Sequence, residues 1–481
     1  DILLNADLFK KIKSVFKDKS DENYSQEQIM LLEKIYKNFT RNGANLNQND
    51  QNRLREIDME LSRTSLSFGE NVLAETNNFE LQVKDKSELD GIPDDIKESA
   101  KNLAGEKQKE GYIFTLDFPT FIPVMKFAEN RELRKKLLLG FGSKGFKDNV
   151  YNNEKNVLDI VKLRLDRAQL LGYKSHADFV LQERMAKTVD TVHTFLDNIL
   201  EKAMPSAVKE LEELKAFAYE IDSIKDLKKW DKAYYTEKLK QKKFDLNEEI
   251  LKPYFELNRV IEGMFGVAFK LYHLTFKKVS DLDIYHEDVI TYKVYDETNK
   301  YLATLYADFH PRAGKRDGAW MTIYKDQYRF NKKDERPQVS IVCNFTKPTK
   351  TKPSLLTFNE VTTLFHEFGH ALHAINANTT YPSLSGASVY WDFVEVPSQL
   401  MENWCYESEV LKLFAKHYQT NEILPTKYIE KIKESSNFME GLQTTRQVSL
   451  GKLDLAWHAM ESMNSVEKVK DTEDLAFKNI E

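Results

Sequence analysis

The sequence is short of the residues that turn a chain. Its 481 positions hold 17 glycines and 12 prolines, about 6% together where an average chain carries roughly 12%. Tight turns, hairpins and bulges consume both types. An all-β sandwich or a many-stranded barrel is therefore excluded, and long helices with few connections are expected. Only two cysteines occur, Cys343 and Cys405, so a disulfide scaffold is excluded and the compartment is left open. A basic excess is also lacking: 70 Lys+Arg stand against 76 Asp+Glu, a net charge of −6. That removes the electrostatic footprint of a nucleic-acid binder. No uncharged apolar run reaches the roughly 18–20 residues that a membrane span needs.

What is present is apolar material, at 41% hydrophobic and 12% aromatic residues. This excludes a mostly disordered chain and supplies ample core. Apolar residues recur at three- and four-residue spacing in Leu31–Leu46 and Asn52–Asn77, and again from Glu129 to about Ile221, which predicts helices. Tyr112–Leu116 reads as a short strand. The lysine-dense stretch Lys225–Lys243 reads as a solvated helix face rather than a basic binding strip. The remaining β signal is confined to Val289–Phe309, a hairpin around Asp296–Asn299, and to Val339–Phe345. From Thr357 onward the chain reads as helical again, apart from a loop at Tyr381–Gly386.

The pattern H-E-x-x-H stands at His366–His370. Thr357 followed by Glu360 forms a T-x-x-E capping box that starts a helix. Phe358, Val361, Leu364, Phe365, Phe368, Ala371, Leu372 and Ile375 lay an apolar stripe along it. On that helix His366 and His370 are one turn apart, about 6 Å along the axis, and point the same way. Two imidazoles so placed can grip one metal ion, and imidazole nitrogen suits zinc. Glu367 falls beside the metal, where its carboxylate can take a proton from a water and pass it to a leaving amine. His373 shares the face but lies roughly 10 Å of rise from His366, too far for both to bind one ion. The acidic cluster Asp392–Trp404 supplies better third ligands in Asp392, Glu395 and Glu402, and spacing alone does not choose between them. Gly369, costly inside a helix by about 1 kcal/mol relative to Ala, is expected to let another backbone pass close to the site.

HEFGHALH, YPSLSG and DFVEVPSQLMENW, in that order and spacing, resemble the thimet-oligopeptidase family of zinc metallopeptidases. The likeness continues through Leu66–Leu81, Lys162–Lys187, Pro253–Ala268, Asp308–Met321 and Asn344–Thr349, and covers most of residues 50–465. These segments look like the bacterial dipeptidyl carboxypeptidase branch. The resemblance implies that the third ligand is Glu395, completing a one-zinc site with His366 and His370 around the general base Glu367. It implies a mainly α, two-lobed body with a deep central channel, and a small β-sheet near the zinc that lines the substrate groove. Residues 1–128 would form an N-terminal helical portion and 129–481 the catalytic region. The implied activity is a peptidyl-dipeptidase releasing C-terminal dipeptides from short unstructured peptides; an endo-acting oligopeptidase is the alternative. Glu402 is expected to orient a zinc histidine, and Lys315 and Arg316 to meet a substrate carboxylate unless a loop salt bridge occupies them.

Family members continue beyond the position of Glu481 into a segment whose His and Tyr residues donate to the oxyanion, each contributing roughly 3–4 kcal/mol. No Tyr follows Tyr428 here, and His458, the last histidine, reads as a packing residue. The chain, which starts at Asp1 rather than Met, therefore reads as a piece truncated at both ends. It is expected to be a monomer completed by a missing C-terminal segment, or a non-catalytic zinc-binding fragment without it. The expected location is cytoplasmic, with the periplasm as alternative.

Overall fold

The computed structural model describes residues 2–18, 23–464, 466–478 and 480. Asp1 and Glu481, the outer ends of the two expected segments, lie outside the described residues. The fold is mainly helical. Long helices run over Gln26–Arg41, Gln48–Asn78, Glu154–Leu170, Val189–Asp222, Leu257–Tyr272, Phe358–Ile375 and Glu440–His458. Their starts are set by local chemistry: Ser25 and Gln28 form a capping box, and the Asn47 side chain accepts the Asp50 N–H. Among the described residues no helix is long and apolar enough to cross a membrane.

The strands are β1 (Leu81–Val83), β2 (Tyr112–Phe114), β3 (Thr275–Val279), β4 (Ile290–Tyr295), β5 (Tyr301–Asp308), β6 (Trp320–Lys325), β7 (Tyr328–Phe330), β8 (Lys333–Glu335) and β9 (Gln338–Val342). Five form one sheet in the order β3-β4-β5-β9-β6, in which only β5 and β9 run parallel. The expected hairpin is β4–β5, and the expected second segment contains β9. The sheet is nevertheless larger than the sequence reading allowed, because β3 and β6 flank it. Both are edge strands without a clean apolar alternation: β3 reads TFKKV and β6 WMTIYK. An edge strand has one neighbour and needs less apolar surface to be held.

The lysine-dense stretch is a helix with a solvated outer face, as expected, and it also has a buried inner face. Its helix, Lys229–Phe244, buries Asp231, Tyr234, Tyr235, Glu237 and Leu239. Asp231 is fully buried and accepts from Arg131 (Nε, 2.9 Å) and Arg134 (Nη2, 3.1 Å). Two lysines outside that seam are paired as well, Lys242 with Glu220 at 2.9 Å and Lys243 with Glu213 at 2.6 Å.

Apolar side chains gather in separate cores. The largest joins the helix Leu257–Tyr272, the inner face of the five-stranded sheet and the helix Phe358–Ile375. A second, from Val83 to Leu137, wraps the β1–β2 pair, and a smaller one links Leu214–Leu239 to Met439. The helix Phe358–Ile375 sits at the centre of the largest core. Val361, Leu364, Phe365, Phe368, Ala371 and Ile375 are all fully buried along it, each large side chain contributing roughly 1.5–3 kcal/mol by burial.

Candidate metal centre

The motif helix is pinned at its start. Glu360 N–H donates to Thr357 Oγ1 at 3.2 Å, and Thr357 N–H donates back to Glu360 Oε2 at 2.8 Å. The other Glu360 oxygen accepts the Thr346 N–H at 3.0 Å, tying the helix to the segment leaving β9. One carboxylate thus satisfies a helix terminus and fixes it against the sheet.

Nearly two turns beyond Glu360, His366 and, one turn later, His370 present their rings 5.0 Å apart and nearly perpendicular. Both Nε2 atoms lie 3.2 Å from the same oxygen, Glu395 Oε2. Ligand atoms about 2.0–2.1 Å from a tetrahedral zinc stand about 3.3 Å from one another, so this spacing is that of ligands around one ion. Among the described residues these three form the only group of His, Cys, Asp and Glu so placed. The donor set, two neutral nitrogens and one carboxylate, suits a catalytic zinc with an open position. The site is accessible: the His366 and Glu395 side chains are 26% and 51% exposed.

Glu395 immediately precedes the helix Val396–Asn403, whose Pro397 sits in the first turn. Ser398 Oγ lies 2.7 Å from Glu395 Oε2 and 2.8 Å from the Glu395 carbonyl oxygen. Sequence reasoning missed Ser398; its signal is the three-residue spacing to Glu395 at a helix start. Glu402 Oε1, two turns on, is 2.6 Å from His366 Nδ1. An ionised carboxylate only accepts, so Nδ1–H is the donor and the Nε2 lone pair faces Glu395.

Glu367 is buried, and that burial, reinforced by the Glu395 charge against the opposing pull of His366, pushes its carboxyl up to about 7. A carboxylate so poised can take and return a proton near neutrality. Cys343 is fully buried and unpaired; burial first and the Glu367 charge second push its thiol up. Cys405 is likewise buried and free.

His373 stays outside the metal group. Its Nδ1 is buried without a hydrogen-bond partner, and its ring meets Phe393 edge-on at 6.3 Å. Asp392 is also outside it, with Oδ2 accepting the Met185 N–H at 3.2 Å. Lys315 is an internal residue. Its Nζ is bonded to Asp308 Oδ1 (2.9 Å), His310 O (2.8 Å) and Cys343 O (2.6 Å), so its three donors are occupied and a substrate carboxylate would have to displace them. Arg316, the neighbour, is exposed, and its carbonyl accepts from Asn344 Nδ2 at 2.8 Å. His458 packs against His176, with Nε2 2.8 Å from Arg164 Nη1.

Known proteins resemble this chain over most of its length. The chain is 36% identical over 453 residues to Oligopeptidase A of Escherichia coli, covering 92% of this chain and 66% of that relative. It is 33% identical over 475 residues to Dipeptidyl carboxypeptidase of Escherichia coli, covering 98% of this chain and 70% of the relative. The chain thus spans about two thirds of the length of these curated relatives. Among solved structures, PZ peptidase A with an inhibitor shares the fold at a TM-score of 0.55 and 15% identity, over 98% of this chain and 65% of that one. Residues 124–480 match the model of Peptidase family M3, and the chain belongs to that family.

Proposed function

We propose that this chain carries the zinc centre of a peptidase that hydrolyses short, unstructured peptides, cutting within them. The observation that carries the reading is the meeting of His366 Nε2 and His370 Nε2 on one Glu395 oxygen, with the buried carboxylate of Glu367 next in sequence. His366, His370 and Glu395 would hold one zinc ion. When bound, zinc supplies Lewis acidity for the scissile carbonyl and makes a water acidic enough to attack at neutral pH. Glu367 takes the water's proton and returns it to the departing amine. Glu402 holds His366 in the tautomer that leaves Nε2 free.

The sheet supports a mode of substrate binding. β6 is its terminal strand and packs beside the motif helix. A peptide laid along that edge as an additional strand would bring one carbonyl to the metal. A channel between lobes with separate cores would admit extended peptides and reject folded ones.

The peptidyl-dipeptidase expectation is less well supported than its alternative. Identity to Oligopeptidase A is 36% and to Dipeptidyl carboxypeptidase 33%, and Lys315, expected to meet a terminal carboxylate, has its donors occupied. A pair of fluorogenic peptides of one sequence, with a free or an amidated C-terminus, tests this in the presence of zinc. Cleavage of both at similar rates is expected. Cleavage of the free form alone would favour dipeptide release, and zinc binding without cleavage of either would overturn the peptidase reading.

A further inference from the structure

Glu395 reaches the histidines at the end of a long irregular segment. Between the helices Phe358–Ile375 and Val396–Asn403 the chain forms only two short turns, Pro382–Leu384 and Trp391–Phe393. The Glu395 side chain is half exposed, held on the protein side by Ser398 Oγ at 2.7 Å. Its position is set by helix Val396–Asn403 on one side and by this segment on the other.

The segment is gripped by a helix more than 330 residues away in sequence. From Gln26–Arg41, Glu27 Oε1 accepts the Thr380 N–H at 2.6 Å. Two turns along the same helix, Lys34 Nζ donates to Ser383 O at 2.6 Å and to Ser388 O at 2.8 Å. One ammonium therefore bridges two carbonyls five residues apart and clips the segment closed. Lys37, one turn further, pairs with Glu183 at 2.9 Å and lies 5.9 Å from the Tyr390 ring. The neighbouring Met185 N–H holds Asp392, three residues before Glu395. On the opposite side, Arg329 N–H donates to Thr380 O at 3.0 Å, so Thr380 is fixed through both its backbone groups. The contacts follow the segment in order, from Thr380 to Asp392, and all lead toward the third ligand.

We propose that the helix Gln26–Arg41 is a strap for the metal centre, and that Glu27 and Lys34 are positioning residues for Glu395. This rests on the reading of His366, His370 and Glu395 as zinc ligands. Lys34 is chemically suited to the task. Its partners are neutral carbonyls rather than a carboxylate, so the ammonium fixes backbone geometry through charge-assisted bonds. Neither residue touches the ligands, so their effect is on where Glu395 stands.

The test is zinc affinity of the whole chain, measured by competition with a chromophoric chelator. Lys34→Met and Glu27→Leu are each expected to weaken zinc about tenfold, the low end of what outer partners of metal ligands contribute. Lys34→Arg, which keeps donors for both carbonyls, is expected to restore wild-type affinity. In a Glu395→Ala background, where the protein offers zinc only the two histidines, Lys34→Met is expected to have no further effect. Unchanged affinity in Lys34→Met and Glu27→Leu would overturn the strap. An equal loss in the Glu395→Ala background would overturn it too, by showing general loosening. If His366→Ala leaves zinc binding to the otherwise wild-type chain intact, the metal-centre reading itself has failed, which separates that failure from the strap's.

Discussion

A β-carbon added at Gly369 would stand 2.4 Å from the Pro397 carbonyl oxygen and 2.6 Å from Ser398 Cα. Two backbones therefore meet where one helix carries the histidines and the next element carries Glu395. Contact at that range is open only to a residue without a side chain. Gly369→Ala improves helix propensity by about 1 kcal/mol, yet overpacking typically costs about 1–3 kcal/mol. Because the clash is with backbone, the second effect is expected to win. The variant should melt lower than wild type and bind zinc more weakly, since separating the helices moves Glu395 off the histidines. Thermal unfolding with and without zinc checks both.

Glu402→Ala removes the acceptor for His366 Nδ1–H while leaving the proposed ligands His366, His370 and Glu395 in place. The imidazole is then free to rotate or change tautomer. Zinc affinity is expected to fall about 10–100-fold, with little change in the stability of the metal-free protein, because Glu402 is partly exposed. Chelator competition reads the first and unfolding of the apo-protein the second.

Glu367→Gln keeps the shape of the side chain and removes its basicity. Zinc content is expected to be unchanged and peptide hydrolysis to be lost. Retained turnover would assign the proton transfer to another group.

Acid stability depends on a hub away from the metal. Asp308 is buried, which raises its carboxyl, but bonds from Arg312 (2.7 and 2.8 Å) and Lys315 (2.9 Å) overcome this and hold it down at about 2. A folded-state value below the unfolded one near 3.9 means the contribution, about 2.6 kcal/mol, is present above the unfolded value and is lost as the pH falls through 2. Asp308→Asn should therefore destabilise the protein at pH 7 by about 3 kcal/mol or more, since Lys315 and Arg312 lose their counter-charge. The difference from wild type should narrow toward pH 2. Urea unfolding at pH 7 and pH 3 measures it.

The sequence was most legible where one local rule decides the structure. Thr357 and Glu360 announced the motif helix, its apolar stripe announced the burial, and the oddity of Gly369 announced a close backbone. The helical class followed from the scarcity of glycine and proline. The failures have a physical pattern as well. Edge strands β3 and β6 escaped because an edge needs few apolar residues. The lysine-rich helix Lys229–Phe244 hid a buried seam of Asp231, Tyr234 and Tyr235, since lysines dominate its outer face while the inner one decides its place. Lys315 sat in a motif-like loop, but its partners, Asp308 and Cys343, come from strand ends that only folding brings together. The grip of Lys34 on Ser383 and Ser388 spans about 350 residues, and no local pattern carries such a contact.

The central claim is that His366, His370 and Glu395 hold one zinc ion. X-ray absorption at the zinc edge, on the zinc-loaded chain and on its Glu395→Ala variant, tests it most directly. One zinc per chain is expected, with two imidazole nitrogens at about 2.0–2.1 Å and a carboxylate oxygen at about 2.0–2.2 Å, and the carboxylate should vanish from the variant. Sulfur in the first coordination sphere, or an identical spectrum from Glu395→Ala, would contradict the account.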